Sequence, residues 1–206
     1  MPNTLVKKRT GRKREAAALR MLDLLPDKAV WTEDEYLDIS TNHIVEFTDG
    51  RVEVLPMPTP YHQAVSRRLL LALDDVVRGD QLGEVFHCPV PLLTGVTKYR
   101  EPDLLFVSKD NLSKTWETDR RLEKADLVIE ILSKGTRSRQ RDLVRKTAEY
   151  AAAKIPEYWI IDPQNKIVLQ YRLRSGKYAA PRELGLDDEI RSPLLPQFRM
   201  AVRDLF

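Results

Sequence analysis

"DLVIEILS", Asp126 to Ser133, decides how this chain is read. Apolar residues fill both alternating sets of positions, the pattern of a short strand covered on both faces. Glu130 interrupts it, on the same face as Val128 and Leu132. A buried carboxylate without a partner costs several kcal/mol or gives up its charge. A buried lysine or arginine would excuse it structurally, but such pairs add little net stability because desolvation offsets the attraction. A site that needs negative charge explains the residue better.

The segments on either side assemble an α/β pattern. Downstream, "SRQRDLVRKTAEYAAAK" from Ser138 reads as a helix, "EYWIID" from Glu157 as a strand, and "KIVLQYRL" from Lys166 as its hairpin partner. Upstream, "GEVFHCPVPLL" from Gly83 and "PDLLFVS" from Pro102 read as strands, and residues 109–124 as a charged loop. Before them, "HQAVSRRLLLALDDVVRG" is an amphipathic helix with Val65, Leu69, Ala72 and Val76 inward and Gly79 as its stop.

Asp49-Gly50 in "HIVEFTDGRVEVLPM" marks a tight hairpin. Thr32 and Glu35 in "TEDEYLDIS" form a capping box ahead of a short helix. Residues 12–25 have helix-forming composition, with Leu19, Leu22 and Leu25 on one face and Pro26 as the stop. The tail reads as irregular apart from a short strand at "RMAV". The expected fold is therefore α/β or α+β, a mixed β-sheet flanked by α-helices.

Composition bounds the function classes. The 206 residues suit one domain, with 42% hydrophobic and 32% charged residues. Cys88 is the one cysteine, which excludes an internal disulfide and a cysteine zinc cluster. The apolar stretches are too short or interrupted to span a bilayer, and the basic N-terminus lacks a following apolar core. The cytoplasm is the expected compartment, with no membrane contact.

The net charge of +3 hides an asymmetry: the first twenty residues carry +6 and the remainder −3. A basic arm can neutralise nucleic-acid phosphates, or simply aid solubility. Because the rest is mildly acidic, binding to a duplex points to the arm, a recruiting partner or a homodimer.

Three residues carry the chemistry. Asp103, in Pro102-Asp103, precedes an apolar strand and reads by itself as a turn residue. Glu130 is the misplaced carboxylate. Lys146 has Leu143 three residues before it and Tyr150 four after, so it falls on the inward stripe of its helix. An i,i+4 pair with Asp142, or an outward-reaching stem, is the plainer reading, though neither explains a lysine on that face.

Together the three solve one another's problem. Two carboxylates from neighbouring strands suit Mg²⁺, which takes one or two carboxylates plus waters and phosphate oxygens. A lysine beside them would orient water or stabilise developing charge. That is the chemistry of phosphodiester hydrolysis.

"PDLLFV", "DLVIEILS", "RDLVRKTAEY" and "IPEYWIIDP" in this order resemble a prokaryotic family of restriction-endonuclease-like proteins in the PD-(D/E)XK nuclease superfamily. The resemblance extends from Trp31 to Phe206 and includes "VEFTDGRVEVLPMPTPYHQAV" and "SPLLPQF". It implies a restriction-endonuclease-like domain over residues 26–206 behind a basic extension, partly disordered or helical, over 1–25. It also implies a metal-dependent endonuclease acting on DNA, with Mg²⁺ or substituting Mn²⁺ held by Asp103 and Glu130.

The superfamily's usual lysine would stand at position 132, where this chain has Leu132; the resemblance moves that role to Lys146. It adds Glu46, in "VEFTDG", as a further acidic member, against the plainer reading of a solvent-facing hairpin residue. His62 and Gln63 are candidates to line the site, or a helix cap. The family usually has proline after Ser133, and this chain has Lys134. The alternative is a nuclease-fold protein that binds nucleic acid or a protein partner without cutting.

Overall fold

The structure, a computed structural model, describes residues 28–41, 43–133 and 137–206, with backbone alone from 137 to 142. The expected helix over 12–25, the basic arm, Lys134 and the Asp142 side chain lie outside those residues.

Four strands near the N-terminus form an antiparallel sheet: β1 (Val45–Thr48), β2 (Arg51–Val54), β4 (Leu92–Gly95) and β5 (Lys98–Arg100), in the order β2-β1-β5-β4. Asp49 and Gly50 make the β1–β2 turn with φ of 49° and 81°, the left-handed pair of a two-residue hairpin. The helix α1 (Glu33–Leu37) starts with the expected box: Thr32 accepts from the Glu35 amide, and Glu35 accepts from the Thr32 amide. Tyr36 from α1 stacks on Phe47, with ring centroids 5.2 Å apart.

The larger sheet runs β10-β9-β8-β7-β6-β3, with β11 also paired to β9. Its strands are β3 (Gly83–His87), β6 (Leu104–Ser108), β7 (Leu127–Ile131), β8 (Glu157–Asp162), β9 (Ile167–Arg174), β10 (Lys177–Tyr178) and β11 (Arg182–Leu184). Only β7–β8 among its strand pairs is parallel, so the sheet is mixed. That pair is joined through α3 (Arg137–Ala152), as a parallel connection requires. The expected β8–β9 hairpin is present, pairing Asp162 with Ile167.

Both faces of the central strands are covered, which is why β7 is apolar throughout except at Glu130. Leu127, Ile129 and Ile131 pack with Trp159 and the buried stripe of α2 (Pro60–Gly79). Val128 faces the other way, towards Tyr150 of α3, Tyr158 and Ile160.

Three expectations need correction. The fully buried stripe of α2 is Val65, Leu69, Leu73 and Val77; Ala72 and Val76 are only half-buried. The i,i+4 row forms the centre of the contact, and Ala72 and Val76 pack at the margin of the same cluster. "GEVFHCPVPLL" is two strands in two sheets, broken at the cis Cys88-Pro89 bond. The tail carries more structure than expected: β11, then β12 (Glu189–Arg191) paired with β13 (Arg199–Ala201), then the helical turn α4 (Val202–Leu205). Short strands there lacked the length for a visible alternation.

Among the described residues, no helix is long and apolar enough to cross a membrane.

Candidate active site

The site forms where the ends of β6 and β7 meet β1, α2 and α3. Asp103 directly precedes β6, whose Leu104 pairs with Ile129 of β7. This register sets Asp103 beside the Glu130–Ile131 peptide. Asp103 Oδ2 accepts the Ile131 amide at 2.6 Å. The aspartate is thus tied to the residue that follows Glu130, and the turn reading of Pro102-Asp103 omits that tie.

Glu130 has a side chain that is 13% exposed. Its Oε1 accepts two hydrogen bonds, from Lys146 Nζ at 2.9 Å and from the Tyr150 hydroxyl at 2.6 Å. Lys146 comes off the inward face of α3, and its Nζ is also 2.9 Å from Glu46 Oε1. Glu46, in β1, is 1% exposed, so it is not the solvent-facing hairpin residue that was the plainer reading.

Behind Glu46 lies a second ion pair that the sequence did not reveal. Arg100 of β5, itself 1% exposed, donates two parallel bonds to Glu149, Nε to Oε2 at 2.8 Å and Nη2 to Oε1 at 2.9 Å. Its Nη1 donates to Thr48 Oγ1 at 2.8 Å and sits 3.7 Å from Glu46 Oε2. Glu149 was legible in principle, being three residues after Lys146 and hence on a neighbouring helical position. Arg100 gave no sequence signal, since its role depends on β5 pairing with β1.

The charges explain the titration behaviour. Burial opposes the Lys146 cation, but Glu130 and Glu46 outweigh it and raise its pKa, so Lys146 stays an ammonium. Glu130 is raised too: burial and the nearby Asp103 and Glu46 charges prevail over the lowering by Lys146. Among the described residues, Glu130 and Glu46 share the Lys146 ammonium with the Asp103 charge close by, and Arg100 is occupied mainly by Glu149.

That surplus of buried negative charge suits a divalent cation, and Asp103 and Glu130 are carboxylates that could hold one. A carboxylate oxygen that accepts one hydrogen bond keeps a further lone pair, so the bonds described do not exhaust either group. Among the described residues no group of three or more His, Cys, Asp or Glu forms a ready metal cluster.

A cleft of about 160 Å³ opens at Asp103, lined also by His43, Gln63, His87 and Cys88. Gln63 is exposed along it, whereas His62 is buried behind, its Nε2 3.3 Å from Asp103 Oδ1. Burial first, and then the nearby carboxylates, push the Cys88 thiol far up, which leaves it a poor nucleophile. A larger cavity of about 630 Å³, between α3 and β9–β10, is apolar and contains none of these carboxylates or Lys146. Asp103 lines the smaller cleft, whereas Glu130, Glu46 and Lys146 line neither cavity.

Comparison with known proteins bears on the family and the fold. No curated protein matches the chain. A crystal structure of "a putative nuclease belonging to DUF820 from Anabaena variabilis ATCC 29413" superposes with a TM-score of 0.71 at 21% identity, covering 84% of this chain and 96% of that one. At that identity the likeness concerns the fold, which is restriction-endonuclease-like: a mixed sheet flanked by helices. The Uma2 family, described as "Putative restriction endonuclease", matches residues 33–203. That match spans most of the chain, and the protein belongs to the Uma2 family.

Proposed function

We propose that this protein is a Mg²⁺-dependent endonuclease that hydrolyses phosphodiester bonds of DNA, with Mn²⁺ as a substitute ion. The observation that carries the reading is the contact of Lys146 Nζ with Glu130 Oε1 at 2.9 Å, on a strand whose Ile131 amide binds Asp103. Glutamate and lysine thus meet from two elements, beside an amide that binds the aspartate from a third.

In this reading Asp103 and Glu130 hold the cation. When bound, the ion supplies Lewis-acid polarisation of the phosphoryl oxygens and lowers the pKa of water. Lys146, held as an ammonium, cannot act as a general base; it offsets negative charge developing on the phosphate and orients the attacking water. Glu46 keeps Lys146 in place, and Arg100 with Glu149 closes the space behind Glu46. The Tyr150 hydroxyl directs Glu130 Oε1 and leaves the second carboxylate oxygen for the ion.

The nucleic-acid contact is assigned to the basic first twenty residues and to a homodimer, because the rest of the chain carries −3. The test is cleavage of supercoiled plasmid with Mg²⁺ or Mn²⁺ by the wild type, Asp103→Ala and Lys146→Ala. Nicking by the wild type that both variants lose supports the reading. Equal nicking by all three identifies a contaminant and removes it.

A second reading is favoured by the same lysine: with carboxylates 2.9 Å away on two sides, Lys146 also suits a purely structural knot. The chain would then bind nucleic acid or a protein partner without cutting. That reading expects salt-dependent DNA binding that needs no metal and survives Asp103→Ala.

A further inference from the structure

We propose that His62 is a positioning residue that holds the Asp103 carboxylate in the orientation in which Asp103 and Glu130 bind a divalent cation. The inference rests on the two-carboxylate reading given above.

His62 sits in the first turn of α2, where Thr59 Oγ1 accepts its amide at 3.2 Å and so fixes the backbone. The residue is 6% exposed. Its Nε2 lies 3.0 Å from the Ile131 carbonyl oxygen and 3.3 Å from Asp103 Oδ1. A carbonyl oxygen only accepts, so Nε2 must carry the hydrogen, whatever the state of Nδ1. The same N–H therefore faces Asp103 Oδ1.

The Asp103 carboxylate is thus steered at both oxygens. Oδ2 takes the Ile131 amide and Oδ1 faces the His62 N–H, which also binds the Ile131 carbonyl. Both anchors run through one residue, Ile131, the neighbour of Glu130: its amide on one side and its carbonyl on the other. Without the imidazole, one hydrogen bond would remain to Asp103. The carboxylate plane could then turn about its terminal torsion, which is broad and roughly two-fold. Fixing that plane fixes the direction of the Asp103 lone pairs relative to Glu130.

A histidine that only filled the core would satisfy both nitrogens or be replaced by an apolar residue. His62 Nδ1 is instead buried with no hydrogen-bond partner among the described residues. A buried polar atom left in that condition costs on the order of 1–3 kcal/mol. The bond that the ring does make is the one from Nε2 to the Ile131 carbonyl, beside Asp103 Oδ1.

The experiment is Mn²⁺ titration by calorimetry of the full chain as wild type, His62→Leu, His62→Gln and Asp103→Asn. Loss of an outer partner of a metal ligand commonly weakens affinity about 10–100-fold. His62→Leu should show that loss. His62→Gln, whose amide N–H can reach the same acceptors, should stay within about threefold of wild type by the same reasoning. Wild-type affinity in His62→Leu, with loss in Asp103→Asn, overturns the role of His62 alone. Absence of Mn²⁺ binding in the wild type, or none lost in Asp103→Asn, overturns the two-carboxylate reading and this inference with it. Should His62→Leu not unfold cooperatively, ring ¹⁵N–¹H spectra of the wild type decide. Mg²⁺ should shift the His62 Nε2 resonance, and an unmoved resonance overturns the proposal.

Discussion

Lys146 Nζ lies 2.9 Å from Glu130 Oε1, in a pair whose side chains are only 12% and 13% exposed. Removing one partner of a buried pair leaves the other charge uncompensated, which costs about 3–5 kcal/mol. Here two carboxylates, Glu130 and Glu46, would lose their ammonium together. Lys146→Ala should therefore be less stable by at least about 3 kcal/mol in urea unfolding. It should also lose Mg²⁺-dependent nicking by about 100-fold or more if Lys146 stabilises charge in the transition state. Stability retained within about 1 kcal/mol would mean that the pair is not held as described.

Glu46 contacts Lys146 at 2.9 Å, and in the proposed reading it acts through that lysine rather than as a ligand of the ion. Glu46→Gln keeps the shape of the side chain and leaves Lys146 with Glu130. The expected result is a lower kcat with an unchanged Mg²⁺ concentration for half-activation. Asp103→Asn should instead raise that concentration. A metal dependence in Glu46→Gln that shifts as far as in Asp103→Asn would make Glu46 a ligand.

The distribution of signal in the sequence explains which parts of this site were legible. Asp103, Glu130 and Lys146 each break a local pattern: a proline-marked strand start, an apolar run and an inward helical stripe. Such breaks are visible in a single chain because they conflict with local packing rules. Arg100, Glu149 and Tyr150 break nothing, since an arginine on a short strand and a tyrosine or glutamate on a helix are ordinary. Their role comes from the pairing of β1 with β5 and from α3 lying against both sheets, which is long-range information. Likewise, 3.6-residue periodicity located α2 but left its rotation open by one position, because Ala72, Leu73, Val76 and Val77 are all apolar.

That rotation can be checked by paired truncations. Leu73 and Val77 are 1% and 0% exposed, and Val76 packs only at the margin of the same cluster. Leu73→Ala should cost about 2–5 kcal/mol, the range for a buried leucine whose site cannot collapse. Val76→Ala should cost less than about 1.5 kcal/mol, in line with the partial burial of a smaller side chain. Equal costs in chemical denaturation would place Val76 in the core and reject the described register of α2.

Glu101 gives the fold a pH dependence of its own. It is buried directly after β5, where Oε2 accepts the amide of Val45 in β1 at 3.0 Å and Oε1 lies 3.3 Å from the Tyr36 hydroxyl. That hydroxyl is also 3.1 Å from the Val45 carbonyl oxygen and has one hydrogen to give. Protonated Glu101 completes the network: its own hydrogen goes to Tyr36, and Tyr36 then donates to Val45. Burial is the main cause that raises this carboxyl from 4.5 to about 7, against the lowering by the Val45 and Tyr36 bonds. With the folded value above the unfolded one, the folded state binds the extra proton between pH 4.5 and 7. The contribution is therefore full below pH 4.5 and is lost as the pH rises through 7, amounting to about 3 kcal/mol. Glu101→Gln supplies a fixed N–H for Tyr36 and an oxygen for Val45, so its stability should fall less between pH 5 and pH 8 than that of the wild type, by roughly 2–3 kcal/mol. Parallel pH profiles for the two proteins in urea unfolding would show that Glu101 is not the titrating group.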